Sequence, residues 1–171
     1  MRVAFVTEIW KPAVNGVVTR LEATFLELRR RGHQVLVVAP SDSGCSTTGV
    51  DVVGSPSFRL PFLYGGQPWG LPHPRLTRSL EGFRPDLIHA VNPVLLGWAG
   101  IRYARSRRVP LVCSYHTHVL RYMRFYHLGA IESVGAMIIR RAHRLADLNL
   151  VTSTSSAPLL EGWSLPRPKL W

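Results

Sequence analysis

Arg2-Val-Ala-Phe-Val-Thr-Glu-Ile-Trp-Lys-Pro-Ala-Val-Asn-Gly16 runs into Val17-Val-Thr-Arg-Leu-Glu-Ala-Thr-Phe-Leu-Glu-Leu-Arg-Arg-Arg-Gly32, and Val35-Leu-Val-Val-Ala39 follows. This opening stretch decides the fold. Val3–Val6 is apolar without alternation, the pattern of a strand buried on both faces. After a loop carrying Pro12, Gly16 opens a helix in which Val17, Leu21, Thr24, Phe25 and Leu28 recur at intervals of three and four, with Glu and Arg on the other face. Arg29, Arg30 and Arg31 place cations in its last turn, and Gly32 stops it. Val35–Ala39 is a second buried strand. Strand, helix and strand within about 40 residues make a βαβ unit, which implies a right-handed crossover and a parallel sheet.

The rhythm continues outward. A small-residue loop over Ser41–Gly49 precedes a short strand, Val50–Val53. Ser55–Pro74 reads as a long loop with five prolines and the aromatics Phe58, Phe62, Tyr64 and Trp69. Further helices are expected over Leu76–Phe83, Val94–Arg105, Gly129–Leu145 and Ser153–Gly162, and further strands over Asp86–Val91, Val109–Cys113 and Leu148–Val151. The fold class is α/β: a Rossmann-like, doubly wound parallel sheet of six or seven strands. In such sheets ligands sit beyond the carboxyl ends of the strands. Attention therefore falls on Thr7–Gly16, Pro40–Gly49, Asn92-Pro93 and Ser114–His118.

The chain has 171 residues, 46% of them hydrophobic and 18% charged, and a formal charge of +11. That is globular composition and one domain. The basic charge is nineteen Arg and two Lys, and Arg forks suit phosphate or carboxylate. It is uneven: residues 1–85 hold 10 basic and 6 acidic groups, and residues 86–171 hold 11 and 4. The longest uncharged stretches fall short of the ~20 apolar residues of a spanning helix. No signal peptide is expected, and Cys45 and Cys113 are no disulfide framework. A cytoplasmic protein is expected.

Five groups of residues carry possible chemistry, one of them the Ser55–Pro74 loop, whose aromatics suggest a sugar or lipid contact or else a surface excursion packed on its own side chains. Asn15-Gly16 begins a helix, where free N–H groups and the dipole favour an anion; a plain turn with a helix cap is the alternative. No G-x-G-x-x-G or Walker lysine pattern is present, which disfavours a nicotinamide-type dinucleotide. His116 and His118 follow a strand end and can supply a base, a hydrogen-bond donor to a hydroxyl, or simply packed side chains. Zinc is rejected, because Cys113 ends a buried strand and no second Cys/His pair with zinc spacing follows. His89 lies within an apolar strand and is expected to be a core histidine bonded to backbone. The arginines at 102, 105, 107, 108, 121, 124, 140, 141 and 144, with Tyr122, Phe125 and Tyr126 among them, fit an anionic membrane, nucleic acid, or a solvated face.

Taken together, Met1–Arg20, Arg31-Gly-His-Gln-Val35, Gly70-Leu-Pro-His-Pro74, Arg84-Pro-Asp-Leu-Ile-His-Ala90, Val112-Cys-Ser-Tyr-His-Thr-His118 and His143–Ser153 resemble the N-terminal domain of a retaining family 4 glycosyltransferase of GT-B fold. The nearest branch is the sulfoquinovosyl- and mannosyltransferases that glycosylate lipids. The resemblance implies a hexosyltransferase moving a sugar from a nucleotide-sugar donor to a lipid acceptor. It places Gly16 and Asn15 at the donor diphosphate and His116 beside the reacting sugar, positioning and polarising hydroxyls, with His118 close by. It implies front-face attack with no metal and no cofactor besides the donor substrate. It also implies that the basic surface and the Ser55–Pro74 aromatics meet an anionic membrane, so the protein is expected to be peripheral at the inner membrane face.

One departure stands out. The family's second, nucleotide-binding domain carries Glu-x7-Glu, yet no two of Glu8, Glu22, Glu27, Glu81, Glu132 and Glu161 have that spacing. Residues 1–171 are therefore expected to be the acceptor-side domain alone, with the C-terminal domain as a missing partner and no transfer by the isolated chain. A glycosyltransferase for a soluble or polysaccharide acceptor is one alternative. A non-enzymatic basic module for anionic lipid or nucleic acid is the other, with nucleic acid the least favoured partner.

Overall fold

The computed structural model describes residues 1–40, 49–59, 66–116, 129–163, 165 and 168–171. The elements run β1 (Arg2–Thr7), α1 (Gly16–Arg30), β2 (Gln34–Pro40), β3 (Asp51–Ser55), β4 (Ser57–Arg59), β5 (Pro68–Gly70), α2 (Pro74–Phe83), β6 (Leu87–Val91), α3 (Leu96–Arg107) and β7 (Leu111–Tyr115). They continue through α4 (Gly129–Arg144), β8 (Leu148–Val151), a 3-10 turn at Thr154–Ser156, α5 (Ala157–Glu161) and β9 (Lys169–Leu170). Seven strands form one sheet in the order β3-β2-β1-β6-β7-β8-β9, every adjacent pair parallel. The order reverses at β1, which sends the chain outward first toward β3 and then toward β9.

Both sheet faces are covered, and this explains the unalternating strands. On one face Val3, Phe5, Val35 and Val37 pack under Leu21 and Phe25 of α1. On the other, Ala4, Val6, Leu36, Ile88 and Ala90 pack under Leu76 and Leu80 of α2, Leu96 and Ile101 of α3, and Ala142 of α4. Fully burying one such aliphatic side chain stabilises by about 1.5–3 kcal/mol. The approach of α3 is close: a Cβ on Gly100 would lie 2.8 Å from a Val6 methyl.

Several boundaries differ from the sequence expectation. Helix α2 starts at Pro74 rather than Leu76, because proline suits the first turn, where its missing N–H is not needed. The expected loop Ser55–Pro74 instead contains an antiparallel ribbon of β4 and β5 that sets Phe58 opposite Trp69. Phe62 and Tyr64 lie outside the described residues. Strand β7 runs on to Tyr115, with Ser114 and Tyr115 paired to Leu150 and Val151, so Ser114 belongs to the sheet and not to a loop. The two-residue strand β9, unforeseen in the sequence, pairs Lys169 with Leu150 and Leu170 with Val151.

Candidate functional site

The carboxyl ends of β1, β6, β7 and β9 bring together residues from all along the chain. At the first of these ends, Asn15 caps α1. Its Oδ1 accepts hydrogen bonds from the Val17 amide at 3.0 Å and the Val18 amide at 3.1 Å. Two of the amides expected to face an anion are thus satisfied by the cap, leaving Gly16 at the rim. A Cβ on Gly16 would meet no protein atom within 4 Å. No described protein atom requires glycine here, and the space beside this helix N-terminus is open.

The second group is a buried hydroxyl between two imidazoles. Ser114 Oγ lies 2.8 Å from His89 Nε2 and 2.9 Å from His116 Nε2. The main chain of His116 is held as well: its amide donates to Asn92 Oδ1 at 2.8 Å. Asn92 follows β6 with φ +46°, a left-handed conformation that asparagine tolerates better than most residues. His89 is a buried histidine as expected, but its hydrogen-bond partner is the Ser114 side chain rather than backbone. Its ring stacks against Phe5 at 4.9 Å and Trp171 at 4.9 Å.

Trp171 reaches the same place through β9. Its ring centroid lies 4.8 Å from that of His116, edge to face at 88°. The Arg20 guanidinium, one turn into α1, lies 6.0 Å from the Trp171 ring. Among the described residues Arg20 has no carboxylate partner. Burial first, and the Arg20 charge second, push His116 down to about 4. Burial, with His116 as the lesser cause, pushes His89 down to about 3. Both rings are neutral at pH 7. A neutral imidazole beside a fixed cation can hydrogen-bond a hydroxyl or accept a proton, and the surrounding charge suits an anion.

Cys113 faces away from this group. Its buried Sγ lies 3.8 Å from the Ala142 carbonyl on the α4 side, burial raises its thiol pKa, and it cannot share a ligand set with His116. Among the described residues no cluster of three His, Cys, Asp or Glu side chains is placed to hold a metal. His118 lies outside the described residues, as do Arg121, Tyr122, Arg124, Phe125 and Tyr126.

The arginine set divides. Arg105 pairs with Asp147 at 3.2 Å, and Arg107 pairs with Glu81. Arg102, with Arg78 and Arg107, lines a groove of about 860 Å³ between α2 and α3 that also contains half-buried Trp98 and buried Tyr103. No helix among the described residues is long and apolar enough to cross a membrane.

The sequence reading picked out Asn15, Gly16 and His116, and the fold places all three on the rim of one sheet. It gave no role to Arg20 or Trp171, and Asn92 and Ser114 lay in the strand-end loops it named without being assigned a part. The signal for both was position at a strand end, Asn92 after β6 and Ser114 two residues before His116.

Residues 14–171 match Glycosyltransferase Family 4. The chain is 36% identical over 177 residues to a GDP-mannose-dependent alpha-mannosyltransferase from Mycolicibacterium smegmatis, covering 100% of this chain and 47% of that protein. It is 35% identical over 144 residues to a sulfoquinovosyl transferase from Arabidopsis thaliana, covering 83% of this chain and 28% of that one. The sucrose-phosphate synthase structure from Thermosynechococcus elongatus superposes with a TM-score of 0.65 at 14% identity, over 99% of this chain and 47% of that one. At that identity the likeness shows the shared fold, a Rossmann-like half of a GT-B architecture. The chain spans about half the length, or less, of the curated relatives it matches.

Proposed function

The chain belongs to Glycosyltransferase Family 4, and on that premise we propose that it is the acceptor-side domain of a retaining hexosyltransferase. In this reading the whole enzyme moves a sugar from a nucleotide-sugar donor to a lipid. A second Rossmann-like domain outside these residues binds the nucleotide, and the cleft between the two domains is the active site. The observation that carries the proposal is the convergence of His116, neutral and held on both its ring and its backbone, with the open rim at Gly16 and with Arg20, which has no carboxylate partner among the described residues.

The roles follow from the chemistry. Gly16 lets a diphosphate approach the backbone at the start of α1, and Asn15 shapes that start. Arg20 supplies the charge, so that this reading calls for no divalent cation. His116 hydrogen-bonds hydroxyls of donor or acceptor near the breaking glycosidic bond; it is not a nucleophile. His118, which lies outside the described residues, is assigned to substrate or donor-phosphate binding. The lipid acceptor and an anionic membrane surface at the inner face are supported by the α2–α3 groove, where arginines flank aromatic side chains as at a headgroup boundary.

The test is a titration of the 15N-labelled chain with pyrophosphate and with nucleoside diphosphates, in EDTA. Weak binding that shifts the Gly16, Val17 and His116 signals is expected, with no sugar transfer by the chain alone. Binding that spares those residues, or robust transfer without a second domain, overturns the proposal.

A further inference from the structure

We infer that Ser114 is a positioning residue for His116: by engaging Nε2 of that ring it leaves Nδ1 as the nitrogen open to substrate, and it ties the protonation of His116 to that of His89. The inference rests on His116 being the reaction-centre residue proposed above.

The argument begins with the inventory of one hydroxyl. Ser114 is fully buried, and the two ring nitrogens at 2.8 and 2.9 Å are its side chain's only hydrogen-bond partners among the described residues. A serine hydroxyl has one proton to give and two lone pairs to receive. Were both rings to donate to Ser114, its own proton would be buried without an acceptor, at a cost of about 1–3 kcal/mol. Were both Nε2 atoms bare, one of them would lack a donor. The remaining arrangement has Ser114 donating to one ring and accepting from the other. One histidine is then protonated at Nε2 and its partner at Nδ1.

The surroundings make this a stiff arrangement. His89 is wedged between Phe5 and Trp171, so it is a fixed anchor for the hydroxyl. Asn92 holds the His116 amide, and Trp171 lies against its ring, which limits ring flipping. Burial keeps both rings neutral, with the Arg20 charge a second cause at His116, so each has one proton to place. The consequence for chemistry is directional. A proton taken up at His116 Nδ1 is compatible only with Nε2–H donating to Ser114 and Ser114 donating to His89 Nε2. The site can therefore accept a proton at His116 without leaving a buried polar atom unpaired.

Long-range 1H–15N spectra of the histidine rings in the intact 171-residue chain at pH 7 test this directly. The expected result is a complementary pair, with His89 and His116 each in a single tautomer and of opposite kind. Both rings in the same tautomer, or either in the mixed equilibrium of free histidine, overturns the inference, and this measurement needs no variant. Ser114→Ala should turn the His116 ring into a tautomer mixture while the amide spectrum stays dispersed, and Ser114→Thr should restore the single form. Unchanged ring signals in a folded Ser114→Ala chain overturn the inference as well. Addition of pyrophosphate separates the two claims. Failure to bind at Gly16 counts against the donor-site reading, whereas the tautomer pair stands or falls on the ring spectra alone.

Discussion

Glu8, one residue past β1, caps a helix that begins far along the chain: its Oε1 accepts a hydrogen bond from the Leu95 amide at 2.7 Å, across a sequence separation of 87 residues. The same oxygen also accepts from the amides of Val94 at 3.1 Å and Gly97 at 2.9 Å. Helix α3 has no side-chain cap of its own at Leu95, so these orphan amides depend on a residue from the first loop. The carboxylate stitches the first loop to the start of α3 on the strand-end rim. Burial raises its pKa, the backbone bonds to α3 oppose that rise, and Oε2 is left without a partner among the described residues.

Glu8→Ala should therefore destabilise the chain by roughly 3 kcal/mol, since it strands buried amides. Glu8→Gln keeps an acceptor oxygen and removes a buried charge, and its stability should stay within about 1 kcal/mol of the parent. Urea denaturation of both variants checks this. Equal losses for Gln and Ala would show that the negative charge, and not the acceptor, holds α3.

At the rim of α1, shape and charge can be separated. Gly16→Ala adds a methyl to open space and should change stability by no more than about 0.5 kcal/mol. Pyrophosphate affinity should nevertheless fall about tenfold, equivalent to about 1.4 kcal/mol. Asn15→Asp retains a good helix cap while setting a negative charge beside the anion, so it should preserve the melting temperature and weaken binding. Asn15→Ala should cost about 1 kcal/mol through the lost bonds to Val17 and Val18. Calorimetric titration and thermal melts of the three variants give both readouts.

Acidification should destabilise the fold. Burial holds His89 at about 3 and His116 and His143 at about 4, below the unfolded value near 6.5. The unfolded chain therefore binds more protons between about pH 6.5 and 4, so this contribution is fully present above that window and is lost as pH falls through it. Each histidine contributes up to about 1.4 kcal/mol per pH unit there. Glu8, with its raised pKa, acts in the opposite direction but is one group against three. The urea midpoint should fall steadily from pH 7 to pH 5, and a flat or rising midpoint would contradict this account.

The basic groove offers a test of the membrane reading. Arg78→Glu together with Arg102→Glu reverses two charges on exposed helix surface and should leave the fold intact. Sedimentation with vesicles containing anionic lipid should show binding by the parent chain and at least a fivefold loss in the double variant, with a strong dependence on salt. Equal binding by both would remove the groove from the membrane surface. Tight nucleic-acid binding at physiological salt, unmatched on vesicles, would favour the basic-module alternative.

What the sequence determined by itself was local and periodic. The apolar runs at Val3–Val6 and Val35–Ala39, with the three-and-four spacing of α1 between them, specify a βαβ unit because burial on two faces and burial on one stripe leave different patterns. Asn15-Gly16 and the strand-end His116 were legible for the same reason, being tied to element boundaries. The rest was decided by tertiary structure. Glu8 as the cap of α3, Ser114 between His89 and His116, and Trp171 folded back against both rings are contacts between residues far apart in the chain. Strand β9 has no pattern of its own and exists because β8 offers it an edge. Polar groups such as these leave no periodic trace; their partners become visible only when a parallel sheet lays its strand ends side by side.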